Sequence, residues 1–226
     1  MVLGHYGAAL ALKSADRKIS LALLFFAATL SDIILYILLI AGIEKVTVAP
    51  GLTEWISLKT DYNAFSHGLL ALSLWGLMLT IIYMVYKKLQ KHQEPLPVKA
   101  GIILFFAVVS HYFCDLIVHI PDLPVVPGSE TRLGLGLWNY PLLSNGLEFL
   151  MYGAGWYLFY RRVPREAGAF RKKFVILSVL LGTFHLSTGL VPPMESQAIM
   201  GASMLALSLG VVALVWYLEK EIQYSE

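Results

Sequence analysis

Six long apolar stretches joined by short polar connections set the plan of this chain. A helix needs about 20 apolar residues to cross the hydrocarbon of a bilayer, and residues 19–43, 64–86, 99–120, 142–160, 174–191 and 198–218 meet that length. The pattern predicts an all-α, polytopic membrane bundle of about six transmembrane helices, with residues 1–226 forming one integral-membrane domain. The polar connections are all shorter than about 25 residues, too short to fold as a further domain. One more apolar stretch, VLGHYGAALAL at residues 2–12, is too short to span. It reads as an interfacial helix or as a half-helix tucked into the bundle. In the second case His5 lies about 12 Å deeper than Lys13 at a 1.5 Å rise per residue. Lys13, Asp16, Arg17 and Lys18 follow it in place of a small-residue cleavage site, so no cleaved signal peptide is expected.

Basic residues give the orientation. Of 17 Lys and Arg residues, only Lys45, Lys59 and Arg132 fall in the connections after the first, third and fifth spans; the others lie before the first span, between even and odd spans, or after the last. Short cytoplasmic loops carry the excess of positive charge, so both termini are expected in the cytoplasm. The composition agrees: 58% hydrophobic and 14% charged, with a mean hydropathy of +0.68. A net charge of +2 gives no argument for nucleic acid. Cys114, the single cysteine, excludes an intramolecular disulfide and a thiolate cluster.

The expected outer connections differ. Residues 44–63 and 121–141 are long and rich in Gly, Pro and aromatic residues, suited to capping a cavity, whereas the turn at Val191, Pro192, Pro193 and Met194 is tight. Trp55, Tyr62, Trp138 and Tyr140 fit an interfacial aromatic belt. GLGLW at residues 134–138 has no preceding strand and no P-loop lysine, and reads as a glycine-rich turn. Gly153 and Gly155 suit close helix packing.

The chemistry is concentrated in SHYFCDLIVHIPDLP, residues 110–124. Positions four apart share a helix face, so His111, Asp115 and His119 form one stripe inside an apolar segment. Ionisable groups at membrane depth are costly and mark sites. Depth along the other spans brings Asp32, His67, Asp122 and Glu148 towards the same outer half of the bundle, and His5 joins them if the half-helix enters. Imidazole nitrogens with carboxylate oxygens suit zinc, manganese or iron. The expected ligands are His5, Asp32, His67, His111, Asp115 and His119, with Asp115, Glu148 and Asp122 as carboxylates that orient or deprotonate a water whose pKa the ion lowers. The set is large enough for one ion or two. His185 reads as a packing histidine, His92 as a solvated loop residue and Arg132 as a surface arginine.

GHYGAALALK at the start, LSDI around Asp32, FSHG around His67 and SHYFCDLIVHIPDLP resemble, in order and spacing, the YdjM-like bacterial membrane-bound metal-dependent hydrolases, over roughly the first 125 residues. The resemblance implies a hydrolase-like fold in a bacterial inner membrane, without naming a substrate. A more distant likeness is to the zinc-dependent phospholipase C and nuclease group. It implies ligand roles for His5, Asp32 or Asp61, His67, His111 and Asp115. Ser144 stands four residues before Glu148 where that group has a histidine, which argues against a three-metal site.

Three functions compete on these grounds. A hydrolase would act on a lipid or amphipathic ester or phosphoester entering from the bilayer. A proton-coupled transporter would use Asp32, His111, Asp115 and Glu148 as a relay, although no inverted repeat is visible. In a non-catalytic scaffold, a metal would only staple helices.

Overall fold

The computed structural model describes residues 1–90, 95–190, 194, 196–220 and 222, which hold eight α-helices and two small hairpins. His92 and the turn at 191–193 lie outside the described residues. The helices are α1 (Leu3–Ala15), α2 (Leu21–Ala28), α3 (Leu30–Ile40), α4 (Leu69–Gln90), α5 (Val98–Val118), α6 (Pro141–Tyr160), α7 (Gly168–Thr188) and α8 (Gln197–Glu219). Antiparallel pairs β1 (Lys45–Val48) with β2 (Leu58–Tyr62) and β3 (Leu123–Pro124) with β4 (Arg132–Leu133) organise the two long connections. These strands depart from the all-α expectation. At two to five residues each, the strands are too short to register against the apolar runs beside them.

Three helices, α4, α5 and α8, are long and apolar enough to cross a membrane, and the pair α2 and α3 would make a fourth span bent by 55°. The protein is therefore a helical membrane protein. Helices α6 and α7 coincide with two of the expected spans but do not reach the same apolar standard. Glu148 with Ser144 and Asn145 in α6, and Arg171, Lys172 and Lys173 in α7, lower their apolar character.

The stretch expected as a first continuous span is broken at Thr29. Its hydroxyl donates to the Phe25 carbonyl at 2.8 Å, a back-bond that loosens a helix, and its backbone, at φ −107° and ψ 10°, leaves the helical region. The break frees the Ala28 carbonyl to accept from His111 Nδ1 at 2.8 Å.

Helix α1 is the half-helix of the two alternatives. Leu3, His5, Tyr6, Ala9 and Leu10 are all buried, which an interfacial helix would not allow. Its neighbours are α2, α5 and above all α6. A Cβ at Gly155 would stand 2.1 Å from the Gly7 carbonyl oxygen, and one at Gly7 would stand 2.6 Å from that of Met151. The two backbones thus touch directly, as small residues permit in membrane bundles. Gly153 has open space around it and takes no part. At the other end of α1, Lys13 is buried and donates to Glu219 Oε1 at 2.9 Å and to the carbonyls of Arg17 and Ile19. Glu219 also accepts from Ser20 Oγ at 2.6 Å and Leu21 N at 2.8 Å, so one ion pair ties α1, α2 and α8 together. The hydrophobic core around α1 includes Phe25, Leu104, Tyr112, Phe159, Phe170 and Phe174.

Candidate metal centre

The half-helix, the break between α2 and α3, the turn before α4 and the C-terminal half of α5 bring five side chains to one point. His5, His111 and Asp115 present ligand atoms within 4.8 Å of one another, and so do Asp32, His67 and His111. His5 Nε2 lies 3.2 Å from Asp115 Oδ1, and His111 Nε2 lies 3.1 Å from Asp115 Oδ2. His67 Nε2 is 3.5 Å from Asp32 Oδ1 and 3.6 Å from Asp115 Oδ2, while His111 Nε2 is 3.7 Å from Asp32 Oδ1. Donors held at about 2.0–2.2 Å from one ion stand about 3–3.5 Å apart; the pairs of His5 and His111 with Asp115 match that spacing, and the His67 and Asp32 pairs lie at or slightly beyond its upper end. The rings of His5 and His111 stack at 3.7 Å and 8°, so their nitrogens face the carboxylates side by side.

Hydrogen bonds on the far side of each ring fix which nitrogen faces inward. A carbonyl can only accept, so His111 donates through Nδ1 to Ala28 and turns the lone pair of Nε2 towards Asp115 and Asp32. Ser66 Oγ donates to Glu44 and lies 2.8 Å from His67 Nδ1, which must then donate to it; Nε2 of His67 is again left as an acceptor. Glu44 is buried and also accepts from the Phe65 and Ser66 amides at 2.8 and 3.0 Å. His119, at the C-cap of α5, donates through Nδ1 to Asp122 Oδ1 at 2.9 Å and holds Nε2 3.7 Å from Asp115 Oδ2. Imidazole lone pairs thus converge on two carboxylates. Neutral imidazole acceptors facing carboxylates at such range repel unless a cation offsets them, and a metal ion, a ring proton or the Met1 ammonium paired with Asp115 each does so.

Buried polar atoms support the same reading. Both nitrogens of His5 and Nε2 of His111 have no hydrogen-bond partner among the described residues. Orphaned buried polar atoms call for a reason, and ligation of an ion supplies one for the Nε2 atoms of His5 and His111, with His5 Nδ1 not accounted for by it. These buried His and Asp groups could hold a metal ion. The two overlapping groups share His111 and meet at the two carboxylate oxygens of Asp115. The amino group of Met1 also donates to Asp115 Oδ1.

The remaining expected residues have different surroundings. Glu148 Oε2 accepts from the Val2, Leu3 and Gly4 amides at 2.7, 2.9 and 3.3 Å. A carboxylate there satisfies orphan donors and meets the positive end of the helix dipole, so Glu148 seats α1 and through it His5. Asp122 is engaged by His119 on one oxygen and by the Thr60 hydroxyl on the other. Both carboxylates thus accept hydrogen bonds from other groups of the chain. Asp61 pairs with Lys59 at 3.3 Å and does not join the centre.

A cavity of about 370 Å³ opens over the centre and is lined in part by Asp32, His67, Asp115, His119 and Glu148. Trp138 covers His119 with ring centroids 4.1 Å apart, and Trp55 faces His185 at 6.2 Å. Both tryptophans line the cavity instead of serving only as belt residues. His185 is buried on its wall, 3.7 Å from Glu148 Oε2, with neither ring nitrogen hydrogen-bonded among the described residues. Sequence reasoning passed over Glu44 and treated His185 as packing. For Glu44 the available signal was an acidic residue immediately after the first apolar run.

Searches against protein families, curated proteins and solved structures found no match to this chain.

Proposed function

We propose that the protein is a membrane-embedded, metal-dependent hydrolase acting on an ester or phosphoester at the outer side of the bilayer. The observation that carries this is the convergence of the inward Nε2 atoms of His5, His67 and His111 on the carboxylates of Asp32 and Asp115 beneath an open cavity. A purely structural ion would favour a closed shell without a cleft. Zinc is the leading ion, with manganese or iron as alternatives suited to more than four donors. When bound, such an ion polarises a carbonyl or phosphoryl oxygen and lowers the pKa of water.

The chain's own residues supply the arrangement. Ala28, the Ser66 and Glu44 pair, and Asp122 orient His111, His67 and His119 respectively. Glu148 keeps α1 in register so that His5 reaches Asp115. The two tryptophans narrow the cavity and restrict water above the centre. The full arrangement in the membrane has six spans with both termini in the cytoplasm, in a bacterial inner membrane, and membership of the YdjM-like group. Exposed apolar residues such as Leu150 and Tyr157 on α6 and Ile176 and Val179 on α7 suit those helices to lipid contact.

Purified protein loaded with zinc, manganese or iron should hydrolyse chromogenic carboxylic or phosphoric esters. Turnover should disappear in His67→Ala and Asp115→Asn with the fold intact. Equal turnover in parent and variants would remove the proposal.

A transporter is the second reading, favoured by the discontinuous pair α2 and α3, since broken helices line many transport sites. Only one such break occurs among the described residues, without a counterpart in the other half. Flux into proteoliposomes that persists after chelation would favour it.

A further inference from the structure

Beside the cavity over the centre runs a second space of about 350 Å³ between α3, α7 and α8. Both volumes fall in the range of about 300–1,000 Å³ typical of ligand sites. The two spaces share Val2, Asp32, Tyr36, Phe184 and Met204 in their walls. One of these, Asp32, belongs to the candidate metal centre. The second space therefore leads away from the chemistry.

Its walls away from that end are apolar apart from Thr29, Ser208 and Tyr6. Leu177, Leu181 and Val211 are buried and form its floor, while Leu180, Leu207 and Leu214 on its edge are 59%, 39% and 41% exposed. Thr29 has its hydroxyl turned to the Phe25 carbonyl and offers little to a polar ligand. The edge residues lie on α7 and on α8, one of the three helices fit to span a membrane, so the groove opens towards lipid.

We propose that this groove holds the hydrocarbon chain of a lipid whose ester-bearing head lies over the His and Asp centre. A polar, metal-binding end continuous with an apolar, laterally open slot matches an amphiphile with one chain in the slot. A water-soluble ester would leave the slot without a partner. The assignment of the head to a reaction rests on the hydrolase reading; occupation of the groove does not.

Gly210 gives a direct test. It lines the groove, and a Cβ built there meets nothing within 4 Å, so alanine is accommodated and the bulk of a phenylalanine is set at the groove wall. The probe is a medium-chain monoacylglycerol with a diazirine at the chain tip, whose neutral head needs no ion. It is photolysed with the full-length protein in phosphatidylcholine nanodiscs. Labelling should map to α7 and α8 around the groove, persist in Gly210→Ala, and fall about tenfold in Gly210→Phe. Ser208→Phe, at another groove position, replaces Gly210→Phe should that variant fail to fold. Labelling that the bulky variants leave unchanged, or that spreads equally to exposed Leu74 and Ile81 on α4, would overturn the groove assignment. Groove labelling in a protein that hydrolyses no ester would refute the hydrolase and leave the lipid site standing. Hydrolysis with equal kcat/KM for short and long chains, without groove labelling, would do the reverse.

Discussion

Replacing Gly155 with alanine adds one methyl group where α1 and α6 touch. That carbon would lie 2.1 Å from the Gly7 carbonyl oxygen, 2.8 Å from its carbon and 3.0 Å from its Cα. These three nearest atoms are all backbone, so none can be relieved by a side-chain rotation. Restoring contacts of about 3.5–4.0 Å requires α1 to retreat by about 1 Å or more. Overpacking of this kind costs about 1–3 kcal/mol, and each kcal/mol lowers Tm by about 2–4 °C in a chain of this size. The larger effect falls on His5, two residues from Gly7 and 3.2 Å from Asp115 Oδ1. A functional constellation must be held within about 0.5 Å, so metal affinity should fall about 10–100-fold, as when a supporting residue is lost. Gly153→Ala is the control, because a Cβ there meets nothing within 4 Å. It should be neutral or gain about 0.5–1 kcal/mol, the usual benefit of replacing a mid-helix glycine. Thermal unfolding in detergent and metal titration read both quantities. If Gly155→Ala matched Gly153→Ala in both, α1 would not be seated against α6 as described.

Other outcomes follow from the hydrogen bonds around the centre. Asp122→Asn weakens the hold on His119 Nδ1 and should lower turnover about 10–100-fold while most of the bound metal remains, measured by steady-state kinetics beside elemental analysis. Ser66→Ala breaks the link between Glu44 and His67, leaves Glu44 Oε2 without that donor, and should weaken metal binding by a similar factor of about 10–100 in a competitive chelator titration. Lys13→Met leaves Glu219 without its buried cation and should destabilise the fold by about 3 kcal/mol, whereas the double change Lys13→Met with Glu219→Gln should recover a large part of the loss in thermal unfolding.

How much of this was legible in the sequence depended on the range of the interaction. The stripe of His111, Asp115 and His119 follows from helical spacing; α5 carries His111 and Asp115, and His119 at its C-cap keeps Nε2 3.7 Å from Asp115 Oδ2 but joins neither ligand group. Asp32 and His67 were located by depth within apolar runs, which the bundle converts into proximity. Residues 2–12 were ambiguous because their length fits both an interfacial and an inserted helix; burial by α2, α5 and α6 decides between them. The break at Thr29 was hidden because one threonine hydroxyl in a run that stays mostly apolar on both sides gives no local signal of a broken helix. Glu44 acts through Ser66, 22 residues away, and no local periodicity connects them. Trp138 near a membrane boundary fits a belt as readily as a cavity wall, and only the position of His119 separates the two. The hydrogen bonds that Glu148 accepts were not legible because the amides belong to the start of the chain, more than a hundred residues earlier.

The most direct test is elemental analysis of the detergent-purified protein beside His111→Ala and Asp115→Asn, with all three shown to be folded. Near-stoichiometric zinc, manganese or iron in the parent, lost from both variants, is the predicted result. Absence of metal from the parent even after reconstitution, or full retention in both variants, would contradict a metal centre built on these residues.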